Sequence, residues 1–316
     1  MKIAFVGKGG SGKTTLSALV ARFLASKGLP VIAIDSDINQ HLAYSLGMNE
    51  ADAAEVPHLG IEIKKIKEYL RGTNPLIVDA DAMIKTTPPG TGSRLLRVRE
   101  ENPIYSHFVR DARGVKFMAV GAFSEEDTGV KCYHSKTGAV ELILNHLIDG
   151  EKEYVLVDMT AGADAFASGI FTRFDVMFLV AEPTIKSISV YDQYKHYAEQ
   201  YGVVIKVIGN KVETEEDKEF LSQRIGTDLV ALVGHSRFVK ESDRGHVLPL
   251  EELEPENVRT LEAIIACVDS QKKDWKKFYA QAVEFHIKNA RSWANAAAGK
   301  DLTTQIDPKF DPRAFI

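Results

Sequence analysis

Cysteine is scarce in this chain. Only Cys132 and Cys267 occur in 316 residues, so no disulfide framework organises the fold. Long hydrophobic runs are also missing: no apolar stretch reaches the ~18 residues that suggest a membrane span. The N-terminus has no signal-peptide pattern, because Met1-Lys2 leads straight into a short apolar run and then glycines. Positive charge is in deficit. With 39 Lys and Arg against 44 Asp and Glu, the net charge of −5 argues against general affinity for nucleic-acid phosphates or anionic membrane. Internal repeats and low-complexity segments are absent as well. What remains is the composition of an ordinary globular protein, 45% apolar and 26% charged, long enough to bury one sizeable core. A cytoplasmic protein is expected.

Short apolar runs recur along the chain: KIAFV (2–6), VIAID (31–35), KFMAV (116–120), YVLVD (154–158), DVMFLVA (175–181), VVIKVIGN (203–210) and LVALVG (229–234). Most are continuous rather than alternating, as strands buried on both faces require. Helical patterns lie between many of them, including TTLSALVARFLASKG with Gly28 as its stop signal and TGAVELILNHLID. The order predicts an α/β fold: a doubly wound, mainly parallel sheet with helices on both faces. Its ligand belongs outside the carboxyl ends of the strands.

At the end of the first run stands GKGGSGKTT, residues 7–15, a complete phosphate-binding loop pattern with a second lysine that the pattern does not require. Gly7, Gly9, Gly10, Ser11 and Gly12 can turn backbone N–H groups toward phosphate oxygens, at the N-terminus of the following helix. Lys13 would reach the β- and γ-phosphates, Thr14 would ligate Mg²⁺, and Thr15 extends the phosphate cradle. Carboxylates fall where such a site needs them: Asp35 and Asp37 end the second run, and Asp158 ends another, with Gly162 four residues on. Asp37 and Asp158 could hold Mg²⁺ directly or through water, and the Gly162 N–H could bond the γ-phosphate. One of Asp35 and Asp37 is expected to serve as a strand-end cap.

The loop with its extra lysine resembles the deviant Walker A of the ParA/MinD class of P-loop ATPases. Within that class the chain is most similar to the CooC-like nickel-insertion ATPases of carbon monoxide dehydrogenase maturation. GKGGSGKTT, IDSDINQHLAYSLG, VDMTAGADAFASG, LVAEPTIKSISVYDQ, GNKV and ESDRGHVLPLEEL carry the resemblance, in the family's order. It implies an ATP-binding, Mg²⁺-dependent homodimer in which Lys8 reaches the partner's nucleotide as an arginine finger would. It further implies that Asp37 positions the attacking water, that Asp158 to Gly162 is the second switch, and that Asn210 with Lys211 reads the base. Glu213 leaves a guanine-reading pattern half present; ATP is preferred. The class's usual proline after the switch aspartate is Ile38 here. Where CooC-like proteins carry Cys-x-Cys, this chain reads KCYH (131–134). Cys132 and His134 are therefore candidate Zn²⁺ or Ni²⁺ ligands, one pair from each protomer making a tetrahedral set.

The expected organisation is a P-loop ATPase domain over 1–265, with an insertion at 80–115, and a C-terminal helical extension and tail over 266–316. The insertion, with TTPPGTGS (86–93) and the cations Arg94, Arg97 and Arg99, is expected to be mobile and to face a client or the dimer partner. Helical stripes begin after Pro255 and again at Trp275, predicting a helix that caps the sheet. The last sixteen residues are expected to form an extended tail. The implied partner is a client metalloenzyme or maturation factor, with no membrane insertion. Two other outputs of the same scaffold are a positioning or partition ATPase acting on DNA or membrane, and an ATP-dependent carboxylate-activating synthase.

Overall fold

A computed structural model describes residues 1–122, 134–162, 166 and 168–316. The strands are β1 (Lys2–Gly7), β2 (Val31–Ser36), β3 (Leu96–Arg97), β4 (Arg110–Ala112), β5 (Val115–Ala119), β6 (Leu147–Ile148), β7 (Tyr154–Met159), β8 (Val176–Ala181), β9 (Ile205–Asn210) and β10 (Leu229–Val233). Eight of them form one sheet in the order β10-β9-β8-β1-β7-β2-β5-β4. Every pairing in it is parallel except β4 with β5. A separate short parallel pair joins β3 to β6.

The helices, in order, are α1 (Lys13–Ser26), α2 (Leu42–Leu46), α3 (Glu50–Ala54), α4 (Ile63–Arg71), α5 (Pro103–Phe108) and α6 (His134–His146). After β8 come α7 (Ile185–Glu199), α8 (Glu215–Ile225), α9 (Arg237–Asp243), α10 (Pro255–Asp269), α11 (Trp275–Asn289) and α12 (Asn295–Ala298). They cover both faces of the sheet, which explains the continuous apolar runs. In β1, Ala4 and Val6 enter one buried cluster while Ile3 and Phe5 enter the other. Successive side chains point to opposite faces, so a strand covered twice is apolar along its middle and carries its polar residues at its ends. α1 buries Leu16, Leu19, Val20, Phe23 and Leu24, each contributing about 1.5–3 kcal/mol of transfer free energy. Beyond its end, Gly28 takes a φ of +70°, the left-handed turn that glycine tolerates best.

The structure corrects the reading of the region expected to be a mobile insertion. Residues 80–115 contain β3, α5 and β4, and residues 86–90 are buried. Polar composition suggested a solvated loop, but its groups are satisfied by the far end of the chain. The Thr87 hydroxyl donates to Gln305 Oε1 at 3.2 Å, the Thr91 N–H to Asp307 Oδ2 at 2.9 Å, and Tyr279 Oη to the Pro89 carbonyl at 3.2 Å. Nor do the three arginines form a free basic patch. Arg94 lies over the Tyr69 ring, Arg97 pairs with Glu100 and Arg99 with Glu153. The last sixteen residues are likewise not an extended tail: they form short turns at Leu302–Gln305 and Pro312–Phe315, with Leu302, Gln305, Asp307 and Phe310 buried. His286 of α11 ties these pieces together. Its Nε2 donates to the Leu302 carbonyl at 2.9 Å, and its Nδ1 faces the Thr86 hydroxyl at 3.4 Å.

Candidate functional site

β1 sits inside the sheet between β7 and β8, so its carboxyl end opens among the loops that follow the neighbouring strands. The phosphate loop runs from there into α1. Gly7, Gly10 and Gly12 adopt φ values of +144°, +79° and +97°, which L-residues with a Cβ reach only under strain. Gly12 also has no room for a side chain, because a Cβ there would stand 2.2 Å from Asn210 Nδ2. That amide donates to the Ser11 carbonyl at 2.7 Å, and Lys211 Nζ donates to the Gly10 carbonyl at 2.8 Å while pairing with Glu182 at 2.5 Å. Asn210 and Lys211 thus brace the loop from β9. Gly9 and Lys8 are exposed, and among the described residues no hydrogen bond or ion pair restrains the Lys8 ammonium.

Three carboxylates converge on this loop, and the fold assigns them different environments. Asp35 is fully buried and accepts the backbone N–H groups of Asp37 at 3.0 Å and Leu42 at 2.9 Å. It is the cap of the pair, shaping the turn into α2. Burial, and Asp158 beside it in the register, hold its carboxyl well above the usual carboxylate range. Asp37 projects into the site: its Oδ2 lies 3.6 Å from Lys13 Nζ, while its Oδ1 accepts both Asn39 N–H donors at 3.0 Å. Asp158 is fully buried at the end of β7, and its Oδ2 accepts the Thr14 hydroxyl at 2.6 Å. Its Oδ1 is buried and has no hydrogen-bond partner among the described residues. Burial raises the Asp158 pKa to about 7, against the opposing pull of the Thr14 hydroxyl and Lys13. A buried acceptor left open beside a threonine hydroxyl suits a hydrated divalent cation, which Mg²⁺ sites satisfy with few carboxylates and several waters.

Two cavities flank the loop and share Gly10, Gly12 and Thr15 in their walls. One, of about 260 Å³, lies between Lys13, Thr14, Asp37, Asn39, His41 and Ala161. The other, of about 650 Å³, extends past Asn210, Lys211 and Glu213 to Gly234, His235, Ser236, Lys240 and Arg244. Together they offer a polar end for phosphates and a larger, less polar chamber of the size that ligands occupy. The sequence pattern missed Asn39, His41 and the whole wall at 234–244. Residues 234–236 follow β10, however, and the rule that ligands meet the carboxyl ends of strands pointed to that loop. Gly162, with φ +90°, donates its N–H to the Gly7 carbonyl at 3.1 Å, bringing the segment after β7 against the loop. Cys132 lies outside the described residues, as does the side chain of His134, whose backbone opens α6. Among the described residues, no group of three or more His, Cys, Asp or Glu side chains is arranged to hold a metal ion. No helix among them is long and apolar enough to cross a membrane.

A glycine-rich loop between a central parallel strand and a helix, with a lysine, a threonine and a strand-end aspartate meeting at its mouth, defines a P-loop nucleotide-binding protein. The family follows from comparison. The model of the CobQ/CobB/MinD/ParA nucleotide binding domain matches residues 3–249, and the chain belongs to that family. It is similar to the carbon monoxide dehydrogenase accessory protein CooC of Rhodospirillum rubrum, 28% identical over 246 residues, covering 77% of this chain and 87% of that protein. An uncharacterized ATP-binding protein of Methanocaldococcus jannaschii is 29% identical over 252 residues, 77% of this chain and 88% of the relative. In fold it resembles MinD in the MinC:MinD cell division complex of Aquifex aeolicus, with a TM-score of 0.56 and 21% identity over 86% of this chain and 97% of that one. MinD of Pyrococcus horikoshii OT3, solved with Mg-ADP, superposes with a TM-score of 0.54 at 17% identity, covering 85% and 96%.

Proposed function

We propose that this protein is a Mg²⁺-dependent ATPase that works as a nucleotide-switched homodimer in metalloenzyme maturation or in delivery of a metal or cofactor. Residues 1–265 form the ATPase domain in this reading, and 266–316 its extension. The observation that carries it is the buried, unpartnered Oδ1 of Asp158 beside the Thr14 hydroxyl. Thr14 and Asp158 would hold Mg²⁺, which when bound neutralises charge on the phosphate oxygens. Lys13 binds the β- and γ-phosphates, and the turned backbone of Gly7 to Gly12 donates N–H groups to them. Asp37 accepts a proton of the attacking water and orients it, with Asn39 fixing that carboxylate. Asn210 reads the purine from the wall of the larger chamber. Lys8, exposed and unrestrained, reaches across to the partner's nucleotide, so hydrolysis waits on dimerisation. The likeness to CooC over most of that protein's length supports the maturation role.

The test is complementation in a mixture. Lys8→Ala retains nucleotide binding and Lys13→Ala loses it. Lys8→Ala and Asp37→Asn are each inactive alone, and mixing them restores part of the turnover, because one site then holds an intact Asp37 and the other subunit's Lys8. No recovery in any mixture, from a protein that stays monomeric with ATP, would sink the trans arrangement. Capture of a metalloenzyme by Asp37→Asn held with ATP supports maturation; capture of a DNA segment points to a partition ATPase instead.

A further inference from the structure

We infer that Tyr194, remote from the nucleotide chamber, is a positioning residue that latches the second switch in its resting state. This rests on the ATPase reading above and deepens it. Gly162 is held at both of its peptide groups. Its N–H donates to the Gly7 carbonyl at 3.1 Å, and its own carbonyl accepts the Tyr194 hydroxyl at 2.5 Å. The two holders are rigid. Gly7 ends the central strand β1, and Tyr194 is fully buried in α7. The tyrosine ring is wedged edge-on against Phe166, with ring centroids 4.8 Å apart, and Phe166 in turn packs on Phe171 at 4.7 Å. Tyr194 belongs to the 15-residue helix α7 and not to the loop, so its hydroxyl stays in place when Gly162 moves.

The N–H that Gly162 spends on Gly7 is the donor that a γ-phosphate needs. To redirect it, residue 162 must change its backbone angles, and glycine permits this: no heavy atom lies within 4 Å of a Cβ built there. A displacement of residue 162 off the Gly7 carbonyl and toward a phosphate also draws the Gly162 carbonyl away from the fixed Tyr194 hydroxyl. The Tyr194 hydrogen bond therefore stabilises only the conformation in which the N–H is directed at Gly7. A bond made in one of two states sets their ratio. ADP, lacking the γ-phosphate, leaves the latch shut, whereas ATP must open it.

Tyr194→Phe removes the hydroxyl and keeps the ring, so the aromatic packing and the fold are retained; a melting curve of the nucleotide-free variant checks this. The measurement is calorimetric affinity for a non-hydrolysable ATP analogue and for ADP, in native protein and variant. The expected result is a rise of about fivefold in the ratio of analogue affinity to ADP affinity, the worth of one neutral hydrogen bond, with ADP affinity unchanged. An unchanged ratio, or both affinities falling together, would overturn the latch and leave the ATPase reading standing. Native protein that binds neither nucleotide would overturn both.

Discussion

The two ends of the central sheet each bury a cluster of charge, and they are built on opposite principles. At the amino ends of the strands, Lys2 and Lys273 face Asp149 and Asp175. Lys2 Nζ lies 2.8 Å from Asp149 Oδ1, Lys273 pairs with both aspartates, and the Lys2 N–H donates to Asp175 at 2.7 Å. The Met1 ammonium joins them at 2.7 Å from Asp149, and the Trp275 and Phe278 rings cover Lys2 at 4.7 and 4.3 Å, so α11 is fastened to the core by a densely paired network. Although burial opposes ionisation, Lys2 and Lys273 hold the Asp149 carboxyl well below its usual range. At the carboxyl ends, Asp35, Asp37 and Asp158 are all buried, and the Lys13 ammonium pairs with Asp37. Asp158 is pushed up to about 7 and keeps an open acceptor. In the first cluster every carboxylate has a close ammonium partner; in the second three carboxylates gather around Lys13, and the excess charge is destabilising until a ligand joins it. Where charge balance is left unfinished in a packed interior, a binding site is the natural reading.

Three variants break or sharpen this contrast. The largest effect is expected from Asp149→Asn, which leaves the Met1, Lys2 and Lys273 ammonium groups short of a partner. It should lower stability by about 3–5 kcal/mol, measured by urea denaturation; a loss below about 1 kcal/mol would show that the network is not a staple. Asp158→Asn should act in the opposite direction. Burial raises the Asp158 pKa above the ordinary 3.8 to about 7, so its ionisation at pH 8 disfavours the folded chain. The nucleotide-free variant should be more stable by roughly 1–3 kcal/mol and should lose the extra stabilisation that Mg²⁺ with ATP provides. A destabilised variant would mean that the Thr14 contact outweighs the desolvated charge.

The smallest effect belongs to His286→Gln, which tests the junction between α11, the 86–93 loop and the terminal turns. Burial lowers the pKa of His286 from 6.5, with the Leu302 carbonyl opposing. Its contribution is therefore present above that unfolded value and lost as pH falls through 6.5 toward the lower folded value. Glutamine does not titrate. The variant should be about 1–2 kcal/mol less stable at pH 7.5, and the deficit should shrink by pH 5. A deficit constant across that range would remove His286 titration from the account.

Much of this was legible beforehand, for reasons that can be stated residue by residue. Ile3 to Val6 and Val155 to Val157 had to be apolar because both faces of their strands are covered. Gly7, Gly10 and Gly12 stand where the backbone turns left-handed, and Lys13 and Thr14 follow at a spacing set by the first turn of α1. Asp35 and Asp37 were both recognisable as site carboxylates, and the family resemblance singled out Asp37, but the residues by themselves did not say which one caps and which one faces Lys13. That choice depends on Leu42 N–H and on the partner strand β7. The antiparallel strand β4 and the short pair β3 and β6 were too brief for their periodicity to register.

Local covalent geometry acts over a few residues, and so the sequence by itself determined the strands, the phosphate loop and the carboxylates that end β2 and β7. Contacts between distant segments are written in no window of the chain. Only the tertiary structure decided that the polar stretch 86–93 is buried, because its partners His286, Gln305 and Asp307 come from the far end of the chain. The same holds for the chamber wall at 234–244, which becomes part of a site only when β10 is laid beside β9. It holds again for Tyr194, whose hydroxyl finds Gly162 because α7 packs under a loop that precedes it by 32 residues. In each case the deciding energy is the pairing of a polar group that burial has already taken out of water, and burial is a property of the folded chain.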